Sequence, residues 1–317
     1  MPLVESHYEP SLIFRNYHFS TVYAAVFRKM DHPQKRERLE LKEGDFIDLD
    51  WSFSEEKSEK LLILLHGLEG SAQRPYMTGT AKLFTQNGWD VLAVNFRGCG
   101  GELNRLFRSY HAGATDDLRQ VIEHVKPRYP TIALNGFSLG GNLLLKYLGE
   151  EKNLPEEIKA AVAISVPCDL HGSLMEIQQL RNMLYEKRFL RSLKAHLLAR
   201  HEKFPNKITK EEIASCDNLL AVDELYTSKA HGFENALDYY KKNSSLQFLP
   251  NISIPTLLIN ARNDGFLSEK SYPVEVAEKN SDFFLEMPKY GGHVGFIQNG
   301  PYTYNEERTL EFLSSQT

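Results

Sequence analysis

Ser138 stands in Gly136-Phe137-Ser138-Leu139-Gly140, a G-x-S-x-G pattern that follows an apolar run and opens a helix-like one. A serine on so sharp a strand-to-helix turn projects its hydroxyl above a sheet. Small residues two places either side are needed because the backbone passes too close for a Cβ. The helix that follows offers free N–H groups and its positive dipole end to negative charge. If this serine is a nucleophile, it needs a base and an acid, in the chain order serine, acid, histidine. Asp264 directly follows the apolar "TLLINARN", and His293 follows "FFLEMPKYGG". His293 is the expected general base and Asp264 its orienting partner. Two N–H donors must hold the oxyanion: Leu139, next to the serine, and Leu68, in the "HGLEGS" loop after an earlier apolar run. His66 in that loop is expected to bond local backbone rather than act as a base.

The elements that must position these residues follow from hydrophobic patterning. "KLLILLHG" (60–67), "DVLAVNFRG" (90–98), "TIALNGF" (131–137) and "KAAVAISVP" (159–167) are near-continuous apolar runs, which suits strands buried on both faces. Helical patterns separate them around 78–88, 116–125 and 140–150. Strands alternating with helices imply a mainly parallel sheet with helices on both faces. "RERLELKEGDFIDLDWSF" (36–53) alternates about a KEGD turn and reads as a β-hairpin. Residues 1–34 are expected to form a short helix and loops packed on the body. From 168 to 250 the pattern is helical and charged with no buried strand, and strands resume at 254–264 and 282–293. The domain reading is therefore one α/β core, contributed by 1–167 and 251–317, with a helical lid insertion at 168–250.

Composition narrows the function classes. The 317-residue chain is 42% hydrophobic with a net charge of -5, which offers no basic footprint for nucleic acid. Cys99, Cys168 and Cys216 are too dispersed for a metal cluster or a disulfide framework, as suits a reducing cytoplasm. No secretory leader and no apolar run of membrane-spanning length is legible.

"HGLEGS", "NFRGCGGELN", "RSYHAGATDDL", "GFSLGGNLLLKYLGE" and "GGHVGF" resemble the α/β-hydrolase superfamily, and within it the YheT-like branch that includes abhydrolase-domain esterases and yeast medium-chain acyl transferases. The resemblance covers roughly residues 55–300. It implies an α/β-hydrolase fold and a serine hydrolase acting on carboxylic esters without metal or organic cofactor. The branch usually has two adjacent aspartates followed by proline at its acid loop; here the loop reads "RNDGF", so Asp264 matches the acid and Asn263 is a departure that touches loop rigidity. His111 and Asp116 match a histidine–aspartate motif sometimes read as acyltransferase chemistry. Ordering the loop and capping the next helix is the reading preferred here.

The expected substrate is a small-molecule ester, neutral and apolar on its acyl side, with Phe137, Leu139, Leu68 and Phe296 as pocket walls. Arg97, in "NFRGCG", is the nearest cation that could challenge that. Leu190, Leu193, Leu197 and Leu198 recur at helical spacing in a basic stretch, 181–203. Packing of these leucines onto the body is expected, with weak contact at a lipid surface as the alternative. The oligomeric state is not legible.

Overall fold

The computed structural model describes residues 2–317. Its centre is a nine-stranded sheet built from β1 (Leu3–Val4), β2 (Lys35–Glu40), β3 (Phe46–Ser52), β4 (Lys60–Leu65), β5 (Asp90–Asn95), β6 (Thr131–Phe137), β7 (Ile158–Ile164), β8 (Thr256–Ile259) and β9 (Phe283–Glu286). They lie side by side in the order β1-β9-β8-β7-β6-β4-β5-β3-β2. The β2–β3 hairpin is antiparallel and joins the sheet through β3 against β5, while β5 through β1 pair in parallel. The unbroken apolar runs are explained by coverage of both faces. Leu61, Ile63 and Leu65 of β4 share a core with Val121 and Ile122. Leu62 and Leu64, pointing the other way, share one with Met77, Phe84 and Phe312.

Helices α1 (Tyr17–Val22), α2 (Pro75–Thr85), α3 (Thr115–Val125) and α4 (Leu139–Glu150) precede β7 or connect the central strands. Leu118, Val121, Ile122 and Val125 are buried along one face of α3, as their spacing predicts. Between β7 and β8 there are only helices, among them α5 (Leu170–Ile177) and α6 (Met183–Lys203). The helical pattern of this stretch is interrupted between Ile177 and Met183. Buried Asn182 turns its amide onto the carbonyls of Glu176 (2.9 Å) and Gly265 (2.7 Å), tying the break to the body. Leu197 is buried, Leu190 and Leu193 are half-buried against neighbouring helices, and Leu198 faces solvent. No helix among the described residues is long and apolar enough to cross a membrane.

Two features go beyond the sequence reading. Leu3 and Val4 pair in parallel with Leu285 and Glu286, extending the sheet by a strand at its far edge. Residues 12–27, expected only to pack on the body, form a helical arm that reaches the loops carrying the acid and the histidine.

Candidate active site

β6 ends at Phe137 and α4 begins at Leu139, leaving Ser138 alone on the turn with φ 51° and ψ -118°, a backbone conformation L-residues avoid. The flanking glycines are steric necessities. A Cβ on Gly136 would lie 2.6 Å from the carbonyl oxygen of Gly140, and one on Gly140 would collide with the carbonyl oxygens of Leu65 and His66. The Ser138 backbone N–H donates to the Ile164 carbonyl (2.8 Å), anchoring the turn to β7.

The hydroxyl of Ser138 is 2.9 Å from His293 Nε2, and His293 Nδ1 is 2.8 Å from Asp264 Oδ2. Asp264 is buried, and its other oxygen accepts from the Phe266 N–H (3.0 Å). A buried carboxylate so held keeps its partner nitrogen protonated and leaves Nε2 free to take a proton from the serine.

Support for the histidine loop comes from residues that the motifs did not single out. The His293 N–H donates to Thr21 Oγ1 (2.9 Å), Ser20 Oγ donates to the Gly291 carbonyl (3.1 Å), and the Val294 N–H donates to Ser165 Oγ (2.9 Å). Asn263 uses both ends of its amide, accepting from the Gly292 N–H (3.1 Å) and donating to the Arg15 carbonyl (3.0 Å). An aspartate there could not donate, so the departure at 263 is matched to the arm that lies over it.

On the other side of Ser138 lies the loop after β4. The N–H groups of Gly67 and Glu69 donate to the hydroxyls of Tyr76 (3.1 Å) and Tyr110 (3.0 Å). Between them, the Leu68 N–H has no hydrogen-bond partner among the described residues. The Leu139 N–H opens α4 and is one of its unpaired first-turn donors. Leu68 and Leu139 both border the cavity that contains Ser138. His66 is fully buried; its Nδ1–H donates to the Gly67 carbonyl (2.7 Å), its Nε2 accepts from the Phe96 N–H (3.2 Å), and burial pushes its pKa down to about 4. It is a neutral strut for the loop.

Glu69 sits in the left-handed region (φ 55°), and its buried carboxylate accepts from Tyr110 (2.8 Å), from Ser192 and from His196 (3.1 Å). Ser192 and His196 belong to α6, so this carboxylate couples the helical segment to the loop of Leu68. Burial works to raise its pKa, but the donors outweigh burial and hold it below the usual value. Hydrogen bonding to Glu69 raises the pKa of His196.

Two cavities meet at Ser138 and His293. The first, about 170 Å³, lies under the helical segment and is walled by Leu170, Leu174, Ile177, Phe189, Leu193 and Leu219. That is roughly tenfold the room one water needs. The second runs between the arm and α6, past Val22, Ala25, Tyr185 and Arg188.

Phe137 borders this second cavity with its ring packed on Tyr76 (centroids 4.7 Å apart). The expectation for Phe296 is corrected. It is fully buried at φ 41°, packed against Tyr8 (5.8 Å) and lining neither cavity, because the loop after His293 turns it into the core under Gly291. The walls come instead from helical-segment side chains and from Phe266, whose ring lies 4.5 Å from that of His293. Periodicity marks such residues as apolar but cannot say which of them reach the serine.

Arg97 is fully buried and gives its guanidinium to Asp45 (2.9 Å), Asp117 and Glu43. Arg200, also bordering the first cavity, donates to the carbonyls of Leu106 (2.9 Å) and Phe107 (3.0 Å) and to Asn104 (2.7 Å). His111 and Asp116 part company. His111 accepts from the Gly113 N–H (3.2 Å) and lies beside His231, whereas Asp116 pairs with Arg108 (2.6 Å). The expected side-chain cap is absent: α3 is capped by Ala114, with Asp116 and Asp117 in its first turn. Glu43, Asp116 and Asp117 bring three carboxylates within 4.8 Å, and Arg97 and Arg108 already neutralise them. Cys99 is half-buried, lines neither cavity, and burial raises its thiol pKa.

Residues 60–300 match the model of the alpha/beta hydrolase fold family. YheT of Escherichia coli (strain K12), named as an esterase, is 33% identical over 95% of this chain and 91% of its own length. Human phospholipase ABHD3 is 27% identical over 83% of this chain and 67% of its own. The medium-chain fatty acid ethyl ester synthase/esterase 2 of Saccharomyces cerevisiae is 29% identical over 90% and 69%. The Pyrococcus furiosus esterase Pf2001 superposes with a TM-score of 0.60 at 21% identity, covering 90% of this chain and 91% of that one, a likeness of fold. A parallel sheet of this order, a serine on its strand-to-helix turn and the match over residues 60–300 lead to one conclusion: the chain belongs to the α/β-hydrolase family.

Proposed function

We propose that this chain is a carboxylic-ester hydrolase that works through an acyl-enzyme on Ser138. The observation that carries the reading is the contact chain Ser138–His293–Asp264 at the meeting point of two cavities. Ser138 Oγ attacks the ester carbonyl carbon as His293 Nε2 takes its proton, and Asp264 stabilises the imidazolium. The carbonyl oxygen gains the negative charge between the N–H groups of Leu68 and Leu139. Collapse breaks the bond to the alcohol oxygen, which leaves with the proton from His293. Water, deprotonated by the same nitrogen, then releases the acid and restores the serine.

The acyl group is neutral and apolar, of short to medium length, and occupies the cavity under the helical segment. The two arginines bordering that cavity support this, since carboxylates and carbonyls already engage both guanidinium groups. The helical segment, residues 168–250, acts as a lid that limits water at the acyl-enzyme. Three free cysteines suit a reducing compartment such as the cytoplasm. A second reading, transfer of the acyl group to an alcohol, uses the same intermediate, and the yeast synthase/esterase relative favours testing it.

Fluorophosphonate labelling and hydrolysis of p-nitrophenyl esters from acetate to palmitate test the proposal. Ser138→Ala should fold normally, lose the label and lose hydrolysis by a factor of about 10⁴ or more. Unchanged turnover in that variant would remove Ser138 from the mechanism. Product analysis in dilute ethanol separates acid release from ethyl ester formation.

A further inference from the structure

From Asn16 to Phe27 the arm carries no Asp, Glu, Lys or Arg, yet much of this region faces solvent. Leu12 is 79% exposed, Val26 54% and Phe27 63%, with Ile13 and Phe19 also exposed. The arm leans on the start of α6, where Tyr17 bonds Asn182 (3.3 Å) and His18 bonds Tyr185 (3.1 Å). The apolar surface therefore continues onto Leu180 and Leu184, which are 89% and 77% exposed. Scattered exposed apolar residues are ordinary, but a contiguous patch of this kind marks a contact surface.

Along the solvent face of α6 beyond Leu184 stand Lys187, Arg188 and Arg191, all exposed and none engaged in an ion pair among the described residues. The nearest acid on that helix, Glu186, is half-buried. In a chain of net charge -5, this is a local concentration of free cations. The patch also surrounds an opening, because exposed Val22, Ala25 and Arg188 line the second cavity, which reaches Ser138 and His293.

We propose that this face docks on an anionic lipid surface. Residues 12–27 with Leu180 and Leu184 enter the headgroup layer, the three cations meet lipid anions, and the second cavity opens toward the bilayer. Apolar side chains beside unpaired cations are the pairing that an interfacial segment needs. A second copy of the chain is a poor occupant, since an isologous contact presents the same apolar and cationic patch twice and supplies no anions for the three cations. The stripe of Leu190, Leu193 and Leu197 takes no part, because those side chains turn inward. The proposal rests on the ester-hydrolase reading only for what the membrane delivers. Binding is measured without turnover, so either can fail alone.

The test is co-sedimentation of the full chain with phosphatidylcholine vesicles, with and without phosphatidylserine. Binding is expected only with phosphatidylserine and should fall with salt. Lys187→Gln/Arg191→Gln should weaken it about 25-fold, taking about fivefold per cation. Val26→Asp/Phe27→Asp should abolish it. Both variants change exposed side chains only, and an unchanged melting temperature checks their fold. Equal binding to both vesicles, binding to neither, or indifference to both variants would overturn the proposal. So would a concentration-dependent dimer dissolved by Val26→Asp/Phe27→Asp, which would make the face an interface between copies.

Discussion

Replacing Glu69 by glutamine tests whether the helical segment holds the loop of Leu68 in place. The substitution keeps the shape but removes the charge from a buried group with three donors. A hydrogen bond to a charged group contributes about 1 kcal/mol more than a neutral one, so losing that increment at Tyr110 and Ser192 costs about 2 kcal/mol. The pair with His196 adds less than about 1 kcal/mol, because that imidazole is half exposed and screened.

This last part carries the pH dependence. The pKa of His196 is raised above its ordinary 6.5, so its contribution is complete below that value and disappears as pH rises through the raised one. The pKa of Glu69 is lowered from 4.5, so its contribution is complete above 4.5 and fails only as pH drops through the lowered value. Wild type should therefore exceed Glu69→Gln by just under about 3 kcal/mol near pH 5.5 and by about 2 kcal/mol at pH 9. At about 1.5 °C per kcal/mol for a chain of this length, the melting temperatures should differ by about 4 °C and 3 °C. A loosened oxyanion donor should also lower kcat about tenfold at pH 8 with little change in KM. Equal melting at both pH values together with unchanged kcat would refute the coupling between α6 and Leu68.

Asp264→Asn should reduce kcat by about 10⁴, whereas Asn263→Asp should cost tenfold or less, since it removes a bond to the Arg15 carbonyl but leaves the imidazole's partner; steady-state kinetics on one ester would expose an inverted order. Arg97→Met should destabilise the fold by about 3–5 kcal/mol, leaving Asp45 and Asp117 buried without their cation, as read by urea unfolding. Leu193→Trp should narrow the first cavity, lowering kcat/KM for long acyl esters at least tenfold while sparing the acetate. An even loss across chain lengths would place the acyl group elsewhere.

What could be read from the sequence depended on how local the governing physics is. The runs at 60–67 and 131–137 announce doubly buried strands because both faces are covered, and helix α3 shows its buried face in four residues. Ser138, Asp264 and His293 could be picked out because each ends or follows a strand and their chain order is restrictive. Thr21 and Glu69 were not, since their value depends on partners 272 and 123 positions away that no periodicity reports. Phe296 was misjudged for a similar reason. An aromatic three residues after the histidine suits a pocket wall, but the positive φ at Val294 and Phe296 turns the chain inward.

The arm that steadies the histidine loop also sets an order of events. Arg15, Ser20 and Thr21 are synthesised well over 200 residues before their partners at 263, 291 and 293. Leu3 and Val4 likewise wait for residues 285 and 286 to complete their strand pairing. A nascent chain can assemble the central strands well before these contacts close, but its histidine loop lacks the arm's hydrogen bonds until these distant segments meet. Such timing lets the strands around Ser138 form before the arm can fix His293 beside it, and makes the finished Ser138–His293–Asp264 arrangement a late product of folding.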